Sequence, residues 1–594
     1  MSFRHGRMEN VTLNTKTQQI QQNNLSEDIE IISGVNVNGN LVSIYAQSFR
    51  ENFNYKCLTD YMSGETITYA QFAERIARLH ILFEQSGIKK GDKIALMGKN
   101  SITWATIFFA TITYGAVIVP ILAEFNPRDA EHIINHSDSR LLFVSENIFS
   151  HLQFDKLPHL LAALDIDAKT VLDANGNQGV DIEQWKDRIE NITKSFAERY
   201  PDGYRPQDID YPLPDMENVV LINYTSGTTG FSKGVMLTLR NLWGNVTFGI
   251  RSRLHFPRSR ALAFLPLAHA YGCAFDLLVP MAVGTHVTLL GVLPSPNILL
   301  KAFAQVRPSL VICVPLILEK IYKRQIVPSM AKPLVKWAVS KPYLKDIVYR
   351  SVRRKLIKAF GGKFEEVIVG GAPLNPEVED FLRSIHFPLT VGYGMTECAP
   401  LISYTPWRDF VGHSSGHVLR GLMEVKIDSE NPREISGEIL VRGVNVMAGY
   451  YKNPEITAES IDSDGWLHTG DMGTVSGDDN GTISIRGRSK AMILTGAGQN
   501  IYPEEIEAKL SNMPYVGECL IVERNGRLIG LVYPDTDAMT ENHVDNASLP
   551  EIMDQTRRRV NTLVAPYEQI DRIELMDSEF EKAPKRSIKR FLYT

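Results

Sequence analysis

Apolar residues recur with helical spacing near the start of the chain. Phe72, Ile76, Leu79 and Phe83 follow one another at intervals of four, three and four residues, which places them on one helical face. The segment before them, Thr68–Gln71, fits a capping box, in which the threonine and glutamine side chains bond each other's backbone amides. Gly87 stands where such a helix would end. The pattern predicts an amphipathic helix between Thr68 and Gly87.

A longer apolar run has the length of a membrane span but a different character. Residues 102–122 contain no charged side chain, and about 20 apolar residues are enough to cross a bilayer. However, the run contains four threonines, Gly115 interrupts it, and the β-branched cluster Val117–Val119 precedes Pro120. We therefore expect a buried helix over 102–114, a glycine turn and a short interior strand.

Further short apolar runs predict the fold class. Ile94–Met97, Val117–Val119 and Leu141–Val144 each have the length and composition of a buried strand. Helical segments separate them, and strands that alternate with helices at this spacing form βαβ units. The sequence therefore predicts an α/β fold whose sheets are mixed and mostly parallel.

The pattern changes near Asn431. Short alternating runs such as Glu438–Val441 and Thr482–Ile485 are separated by Gly, Asp and Asn, which is typical of hairpins rather than crossover units. The last hundred or so residues form a compact-looking tail with basic residues near its end. We divide the chain into a polar, disordered leader over 1–40, a large body of several subdomains over 41–487, and a small α+β domain over 488–594.

Composition excludes several classes of protein. The 594 residues are 44% hydrophobic and 22% charged, with a formal net charge of −5. These values are ordinary for a globular protein, and the acidic balance argues against nucleic acid as a main partner. Five scattered cysteines without a CxxC pair argue against a disulfide framework and a structural zinc site. The polar start lacks the apolar stretch of a secretory signal, so we expect a cytoplasmic protein.

One segment departs from this average charge. Residues 320–358 contain twelve Lys or Arg and a single acid, Asp346, interspersed with Trp337, Tyr343 and Tyr349. A solvated helical hairpin would explain the pattern. The alternative is a peripheral membrane contact at the inner membrane face, because each basic residue near anionic headgroups contributes about 1 kcal/mol. The pattern alone leaves both interpretations open.

A glycine- and hydroxyl-rich loop follows a core strand. The segment 224–234 reads YTSGTTGFSKG and comes directly after the apolar run Val219–Ile222. Glycines free the backbone so that successive amides converge on an anion, while hydroxyls and a lysine add donors. The Walker spacing is absent, because Ser232 rather than glycine precedes the lysine. The composition predicts a phosphate-binding loop with these candidate residues: Thr225, Ser226, Gly227, Thr228, Thr229, Gly230 and Lys233.

This loop resembles the phosphate loop of the adenylate-forming enzymes, which include acyl-CoA synthetases, luciferases and peptide-synthetase adenylation domains. Further motifs follow in that family's order and spacing over residues from about 40 to 594. They begin at Leu265 (LPLAHAYG), Gly370 (GGAPL), Gly392 (GYGMTE), Gly437 (GEILVRG), Asp464 (DGWLHTGD), Gly487 (GRSK) and Asn500 (NIYPEEIE). The resemblance implies an AMP-binding adenylation domain over 41–487 and a mobile C-terminal domain over 488–594.

The resemblance also implies a reaction. The family joins a carboxylate to the α-phosphate of ATP, releases pyrophosphate and passes the acyl group to a thiol. Glu397 matches the magnesium ligand, Thr396 a donor to the α-phosphate, and Tyr393 a ring that stacks on adenine. The matches to the adenine slot are Gly371, Ala372 and Pro373. A single carboxylate together with phosphate oxygens and waters suits Mg²⁺.

Other motif residues take roles from the same resemblance. Asp471 matches the residue that accepts both ribose hydroxyls, and Arg488 one that reaches the ribose. His269 matches a residue at the mouth of the acyl pocket, and Lys490 the hinge of the mobile domain. Two glycines, Gly496 and Gly498, would let backbone approach the pantetheine arm of CoA.

One position departs from the family pattern. The family ends with a lysine that reaches the first active site, and Ser587 stands at that position here. Lys585 and Lys589 lie two residues to either side, and residues two apart in an extended chain share a face. We hypothesise that Lys585 or Lys589 serves adenylation. The alternative is a catalytically weak protein that only binds adenylate or lipid.

Within the family, long-chain fatty acid–CoA ligases match best. The matching features are the stretch Val314–Tyr322, the basic segment after it and Gly370–Leu374. The resemblance implies ATP, Mg²⁺, a fatty acid and CoA as cofactor and substrates. An acyl carrier protein as acceptor, or release of acyl-AMP, stays open, as do chain length and oligomeric state.

Overall fold

The computed structural model describes residues 31–32, 35–36, 39–167, 169–179, 181–225, 233–477, 481–494, 500–582 and 588–594. Of the predicted leader, Ile31–Ile32 and Val35–Asn36 pair as two short antiparallel strands. The first helix begins at Leu41, and the Asn40 side chain caps it by accepting a hydrogen bond from the amide of Val42. The rest of the leader prediction falls on residues 1–30, 33–34 and 37–38, outside the described residues.

Helices occur along the whole described chain. The α-helices span Leu41–Glu51, Tyr69–Gln85, Ile102–Tyr114, Pro127–His136, Glu146–Phe149, Ile182–Arg199, Leu239–Arg251, Ala270–Gly272, Val279–Val283, Pro296–Val306, Pro315–Ile321, Val327–Ala331, Pro333–Val339, Pro342–Ala359, Pro376–Ser384, Pro454–Ser460, Pro503–Leu510, Thr536–Glu541 and Leu549–Asn561. Two π-helical segments, Cys273–Leu278 and Tyr322–Ile326, interrupt the helical runs near them. The capping box predicted at Thr68–Gln71 is confirmed.

An eight-stranded sheet lies at the centre of the large body. In spatial order its strands are Gly449–Tyr450, Lys233–Thr238, Val219–Thr225, Val117–Ile121, Lys93–Met97, Ser139–Val144, Ala162–Asp165 and Val171–Ala174. Its four central pairings are parallel, and the pairings at both edges are antiparallel. The predicted α/β class with a mixed, mostly parallel sheet is confirmed.

Smaller sheets complete the large body. A four-stranded sheet orders Arg260–Ala263, His286–Leu289, Lys56–Asp60 and Thr66–Thr68, with its first two pairings parallel. A three-stranded parallel sheet contains Val311–Cys313, Val367–Val369 and Leu389–Val391. The short strands Tyr393–Gly394 and Leu401–Ser403 pair beside it. Motif residues 370–374 and 392–397 follow directly after two of these parallel strands, where α/β proteins commonly bind ligands.

The later part of the chain is built from antiparallel hairpins, as its alternating pattern predicts. One sheet orders Met423–Asp428, Gly437–Gly443, Leu467–Ser476 and Thr482–Arg488, all antiparallel. Beyond it, Ile493–Leu494 pairs with Asn500–Ile501. A three-stranded sheet of Val516–Arg524, Arg527–Pro534 and Ile570–Leu575 follows; its first pairing is also a hairpin, but its second pairing is parallel.

Buried apolar side chains form separate cores. The largest core runs from Leu41 to Ile483, and another runs from Ile501 to Ile570. A small cluster around Phe580 covers the other face of the C-terminal sheet. The C-terminal sheet thus has its own core, although the exact boundary at residue 488 and the mobility of this domain stay predictions.

The uncharged run 102–122 is buried inside the large body. It folds as the helix Ile102–Tyr114, a left-handed Gly115 with φ of 89° and the strand Val117–Ile121. Within the described part of the chain, no helix combines the length and apolarity needed to span a bilayer. The predicted division into helix, glycine turn and strand is therefore confirmed.

The basic segment 320–358 is helical and largely exposed. It contains the end of Pro315–Ile321, a π-helical turn and three further helices up to Ala359. Only a few of its side chains are buried, while Leu334, Trp337 and Tyr343 are 81%, 59% and 75% exposed. Its start, however, contacts the C-terminal domain, where Arg324 pairs with Asp537 at 2.9 Å.

Candidate active site

One large cavity gathers most of the predicted site residues. Its volume is about 2180 Å³, and its wall combines polar side chains of the large body, apolar side chains behind them and residues of the C-terminal domain. The predicted residues in this wall are Thr225, Lys233, His269, Gly371, Ala372, Pro373, Tyr393, Thr396, Glu397, Arg488, Lys490 and Lys589. Segments far apart in sequence therefore meet around one space.

The phosphate-loop prediction lies partly outside the described residues. Ser226, Gly227, Thr228, Thr229 and Gly230 belong to 226–232, of which the structure describes nothing. The two ends of this segment are described: Thr225 and Lys233 pair across adjacent antiparallel strands. The Lys233 ammonium lies 5.0 Å from the ring centroid of Tyr450, so the cation faces the cavity beside an aromatic ring.

Glu397 contacts the same tyrosine as this lysine. It belongs to a short 3₁₀ turn, Thr396–Cys398, that follows the strand Tyr393–Gly394. Tyr450 donates a hydrogen bond to its Oε1 at 2.9 Å, which fixes the carboxylate at the cavity wall. Tyr450 therefore contacts both the predicted metal ligand and the predicted phosphate-binding lysine.

The donor set suits Mg²⁺ only together with a substrate. Among the described residues, no group of three or more His, Cys, Asp or Glu side chains forms a metal cage. Mg²⁺ characteristically binds through one or two carboxylates together with phosphate oxygens and waters. A single carboxylate oriented by a tyrosine, in the same cavity wall as a lysine, fits that requirement, so Glu397 would hold the ion when a phosphate is present.

Asp471 is buried and bound from two sides. Tyr393 donates a hydrogen bond to its Oδ2 at 2.6 Å, and the Nε of Arg488 lies 2.8 Å from its Oδ1. Burial raises the pKa of the Asp471 carboxyl, and Arg488 and Tyr393 counter part of that effect. Burial beside this carboxylate also raises the pKa of the Tyr393 hydroxyl. The arrangement fixes the orientation of the carboxylate; Asp471 itself is not among the residues of the cavity wall, whereas Tyr393, Arg488 and the adjacent Gly470 are.

The segment Gly371–Pro373 forms another part of the cavity wall. Gly371 adopts φ of 84°, a conformation open to glycine at little cost. It and its neighbours Ala372 and Pro373 are exposed toward the cavity. His269 caps the short helix Ala270–Gly272 and accepts a hydrogen bond from the amide of Tyr271. His269 is also part of the cavity wall.

The C-terminal domain contributes cations to this space. Lys490 lies in the turn Ser489–Ala491, and Lys589 pairs with Glu581 at 2.5 Å. Arg590, next in sequence, binds Glu507 at 2.7 Å. Of the other predicted residues, Gly496, Gly498 and Lys585 lie outside the described residues, as does Ser587. Among the described basic residues of this terminus, Lys582, Lys589 and Arg590 line the cavity.

Much of the cavity wall is apolar. It includes these aliphatic and aromatic side chains: Leu254, Phe264, Phe275, Leu299, Phe303, Ile312, Ile321 and Phe360. Most of these belong to the core of the large body. The cavity also reaches Leu316, Lys320 and Arg324 at the start of the basic segment. The wall of one space therefore contains both charged and apolar side chains.

Comparison with protein families agrees with this arrangement. The model of the family described as "AMP-binding enzyme" matches residues 46–451, which is more than half of the chain. The chain belongs to the AMP-binding enzyme family. This AMP-binding enzyme is 27% identical over 571 residues to "Long-chain-fatty-acid--CoA ligase FadD15" of Mycobacterium bovis, covering 88% of this chain and 90% of the relative.

Other relatives have a similar sequence identity to this chain. The AMP-binding enzyme is 28% identical over 494 residues to "Long-chain-fatty-acid--CoA ligase" of Escherichia coli O157:H7, covering 77% of this chain and 79% of that protein. Among solved structures, ATP-bound MatB from Rhodopseudomonas palustris superposes with a TM-score of 0.69 at 22% identity, over 93% of this chain and 98% of that one. This structural likeness establishes the fold.

Several cavity residues of the AMP-binding enzyme were missed by the sequence analysis. Tyr450 supports Glu397, although it lies 53 positions away in sequence. Glu438 accepts hydrogen bonds from the His468 ring and from the amide of Gly470 at 2.8 and 2.9 Å, beside Asp471. Glu438 and His468 lie within the motifs that begin at Gly437 and Asp464, so their position in these motifs could have indicated them. Tyr450 had only an aromatic pair, Tyr450–Tyr451, to indicate it.

Proposed function

We propose that this AMP-binding enzyme is an acid–thiol ligase that activates a long-chain fatty acid with ATP and transfers the acyl group to CoA. The single observation that carries the proposal is that one cavity has both charged and apolar residues in its wall. Lys233, Glu397 and Thr396 line it, and so do Phe264 and Phe303. A molecule with an anionic head and a long apolar tail matches such a space.

The first half-reaction requires charge neutralisation. A carboxylate oxygen of the acid would attack the α-phosphorus of ATP, the bond to the bridging oxygen would break, and pyrophosphate would leave. Both reactants are anionic, so preorganised cations and donors must lower the barrier. Lys233 and Lys589 supply positive charge in the cavity wall, and Thr396 supplies a hydroxyl. Because Lys589 belongs to the C-terminal domain, this step would use the domain arrangement described above.

Nucleotide orientation would come from two sides of the cavity. Asp471 would accept hydrogen bonds from the ribose hydroxyls, with Tyr393 and Arg488 fixing its orientation. Gly371, Ala372 and Pro373 would lie along the base. Mg²⁺ held at Glu397 would neutralise phosphate charge. Within the chain itself, Tyr450 orients that carboxylate through its 2.9 Å hydrogen bond.

The second half-reaction transfers the acyl group. The thiol sulfur of CoA would attack the acyl carbonyl carbon, the bond to the phosphate oxygen would break, AMP would leave, and the thiol proton would pass to solvent. We propose that the small domain turns about Lys490 between the half-reactions and that Gly496 and Gly498 then approach the pantetheine. An acyl carrier protein as acceptor would need the same thiol chemistry.

Long-chain specificity follows from the apolar wall. Burial of each CH₂ group contributes about 0.8 kcal/mol, so a channel of this kind binds longer chains more tightly until its length is filled. Most named relatives act on long-chain fatty acids according to their names, which supports the same substrate class here.

A chain-length series tests the proposal directly. Pyrophosphate release is measured with ATP, Mg²⁺ and saturated fatty acids of increasing length, first without and then with CoA. The proposal expects release that rises with chain length and acyl-CoA as the final product. Acyl-AMP accumulation despite CoA would indicate a fatty acyl-AMP ligase, transfer only to carrier protein would indicate an acyl-carrier-protein synthetase, and no release with any acid would leave a binding protein.

We further propose that the basic segment 320–358 contacts an anionic membrane surface. Its exposed apolar side chains, including Leu334, Trp337 and Tyr343, stand among twelve basic residues. Cations beside anionic headgroups and aromatic rings at the interface favour such contact. The cavity reaches the start of this segment at Leu316 and Arg324, so a fatty acid leaving the bilayer would have a short path to the channel.

Vesicle sedimentation tests the membrane proposal. The protein is mixed with vesicles of neutral lipid or of neutral lipid with anionic lipid, at low and high salt. Binding to anionic vesicles alone, weakened by salt and by L334D/W337A, is expected. The matched control is Leu213→Asp, because Leu213 is 62% exposed outside the segment. Absence of binding, or binding equal for L334D/W337A and wild type, would contradict the proposal.

A further inference from the structure

A pair of asparagines joins the large body to the C-terminal domain. The side chain of Asn375 donates to the Oδ1 of Asn512 at 2.9 Å, and the side chain of Asn512 donates back to the Oδ1 of Asn375 at 3.0 Å. Asn375 also donates to the carbonyl oxygen of Ala508 at 2.9 Å. We call this reciprocal contact the interdomain amide pair.

The interdomain amide pair is built to be specific. Asn375 is only 6% exposed, and buried amides must be hydrogen-bonded to avoid a desolvation cost. Its Oδ1 additionally accepts from the amide of Glu377 and thereby caps the helix Pro376–Ser384. The Ala508 carbonyl lies in the last turn of the helix Pro503–Leu510, where carbonyls lack intrahelical amide partners. Separation of the domains would therefore break these hydrogen bonds and leave several polar groups without their protein partners at once.

Each partner of the pair is adjacent to a part of the cavity. Asn375 lies two positions after Pro373, the end of the proposed adenine slot. On the other side, the helix Pro503–Leu510 carries Glu507, which binds Arg590 at 2.7 and 2.9 Å. Arg590 follows Lys589, which lines the cavity. Hydrogen bonds between residues that are close neighbours in sequence of Pro373 and Lys589 thus connect the adenine slot to the terminal lysine.

We infer that Asn375 is a positioning residue that holds the C-terminal domain, and with it Lys589, over the cavity for adenylation only. The inference rests on the proposed function and adds one requirement to it. If the small domain turns for thiol transfer, the interdomain amide pair must break. Asn375 then contributes to acyl-AMP formation and contributes nothing to the thiol step.

Asn375→Asp separates the two roles of this side chain. Aspartate is as good a helix cap as asparagine, so the bond from the Glu377 amide is kept. The aspartate carboxylate has no N–H group to donate to the Oδ1 of Asn512 or to the carbonyl oxygen of Ala508. It also brings a negative charge close to both of these acceptor oxygens. The matched control is Asn40→Asp, since Asn40 also caps a helix and donates to a backbone carbonyl, that of Pro214, inside the large body.

The two half-reactions are then measured apart. For N375D, kcat for pyrophosphate release is expected to fall about tenfold, the effect of losing one to two net hydrogen bonds, with the KM of the fatty acid unchanged. Acyl-CoA formation from supplied acyl-AMP and CoA is expected to stay at the wild-type rate. N512A is expected to reproduce this split, N375D/N512A to add little to it, and N40D to change neither rate. Equal loss in both half-reactions, or no loss, would overturn the inference.

A second measurement is independent of activity. Hydrogen exchange of residues 503–512 is compared between wild type and N375D without substrate. Faster exchange in N375D is expected there, with exchange of the helix Pro376–Ser384 unchanged. Equal exchange of 503–512 in both proteins would overturn the inference. If wild type forms no acyl-AMP, the proposed function fails, and this exchange result still decides whether the interdomain amide pair holds the domain.

Discussion

Arg488 and Asp471 face each other across adjacent antiparallel strands, with the arginine Nε 2.8 Å from the carboxylate Oδ1. The arginine is exposed toward the cavity and the aspartate is buried. Tyr393 holds the second carboxylate oxygen at 2.6 Å. Strand register and side-chain chemistry together fix the direction in which Asp471 presents its charge.

Asp471→Asn is expected to weaken the use of ATP. Hydrogen bonds to a charged group contribute about 1.5 to 3 kcal/mol, so kcat/KM for ATP should fall about 10- to 100-fold. The KM of the fatty acid should not change, because the proposed role of this carboxylate concerns the ribose alone. Steady-state pyrophosphate release checks both values. Asp428→Asn, an exposed residue of the same antiparallel sheet, is the control, and an equal effect of both variants would contradict the assignment.

Glu397→Gln is expected to raise the Mg²⁺ concentration needed for half-maximal pyrophosphate release. The amide keeps the size of the side chain and loses the charge that a hard cation prefers. Tyr450→Phe, which removes only the 2.9 Å hydrogen bond to that carboxylate, should shift the same curve by a smaller amount. Coinciding magnesium titration curves for E397Q and wild type would remove Glu397 as the metal ligand.

Lys589→Ala and Lys585→Ala test which lysine takes the role of the family's terminal lysine, whose position is occupied here by Ser587. Lys589 lines the cavity beside Glu581, and loss of a cation there should lower acyl-AMP formation at least tenfold, the effect of about 1.4 kcal/mol. Thiol transfer from supplied acyl-AMP should stay unchanged. Lys363→Ala, an exposed lysine of the large body, is the control. Rates equal to wild type for both K589A and K585A would reject the hypothesis.

The buried residue His255 is expected to contribute to the loss of folding stability at acidic pH. It is fully buried, its Nε2 lies 3.1 Å from the carbonyl oxygen of Phe275, and burial lowers its pKa from 6.5 to about 4. Between these values the unfolded chain binds the proton and the folded chain does not, so stability is fully present above pH 6.5 and is lost as the pH falls toward 4. His255→Leu should reduce the slope of stability against pH in this window by up to about 1.4 kcal/mol per pH unit.

Urea unfolding midpoints between pH 4 and 7 measure that slope. His151→Gln is the control because this histidine is exposed, and it should leave the slope as in wild type. A slope for H255L as steep as that of wild type would show that His255 is not the proton-binding group.

Local signals explain what the sequence predicted well. The capping box at Thr68–Gln71, the helix Ile102–Tyr114 and the turn at Gly115 depend on neighbours within a few residues, so spacing and residue type were sufficient. The family motifs likewise pointed to Glu397, Tyr393 and Arg488, which share one cavity wall. Long-range partners carried no such signal. Tyr450 meets Glu397, and Asn512 meets Asn375 over 137 positions, because tertiary packing brings together segments whose own sequences are unremarkable.

Isotope transfer tests the central claim, adenylation of a fatty acid, most directly. A long-chain acid labelled with ¹⁸O in both carboxylate oxygens is incubated with the enzyme, ATP, Mg²⁺ and CoA, and the products are weighed by mass spectrometry. Attack by the carboxylate on the α-phosphorus leaves one labelled oxygen in AMP after thiol transfer, none in pyrophosphate, and one in acyl-CoA. Unlabelled AMP, or label in pyrophosphate, would contradict this account.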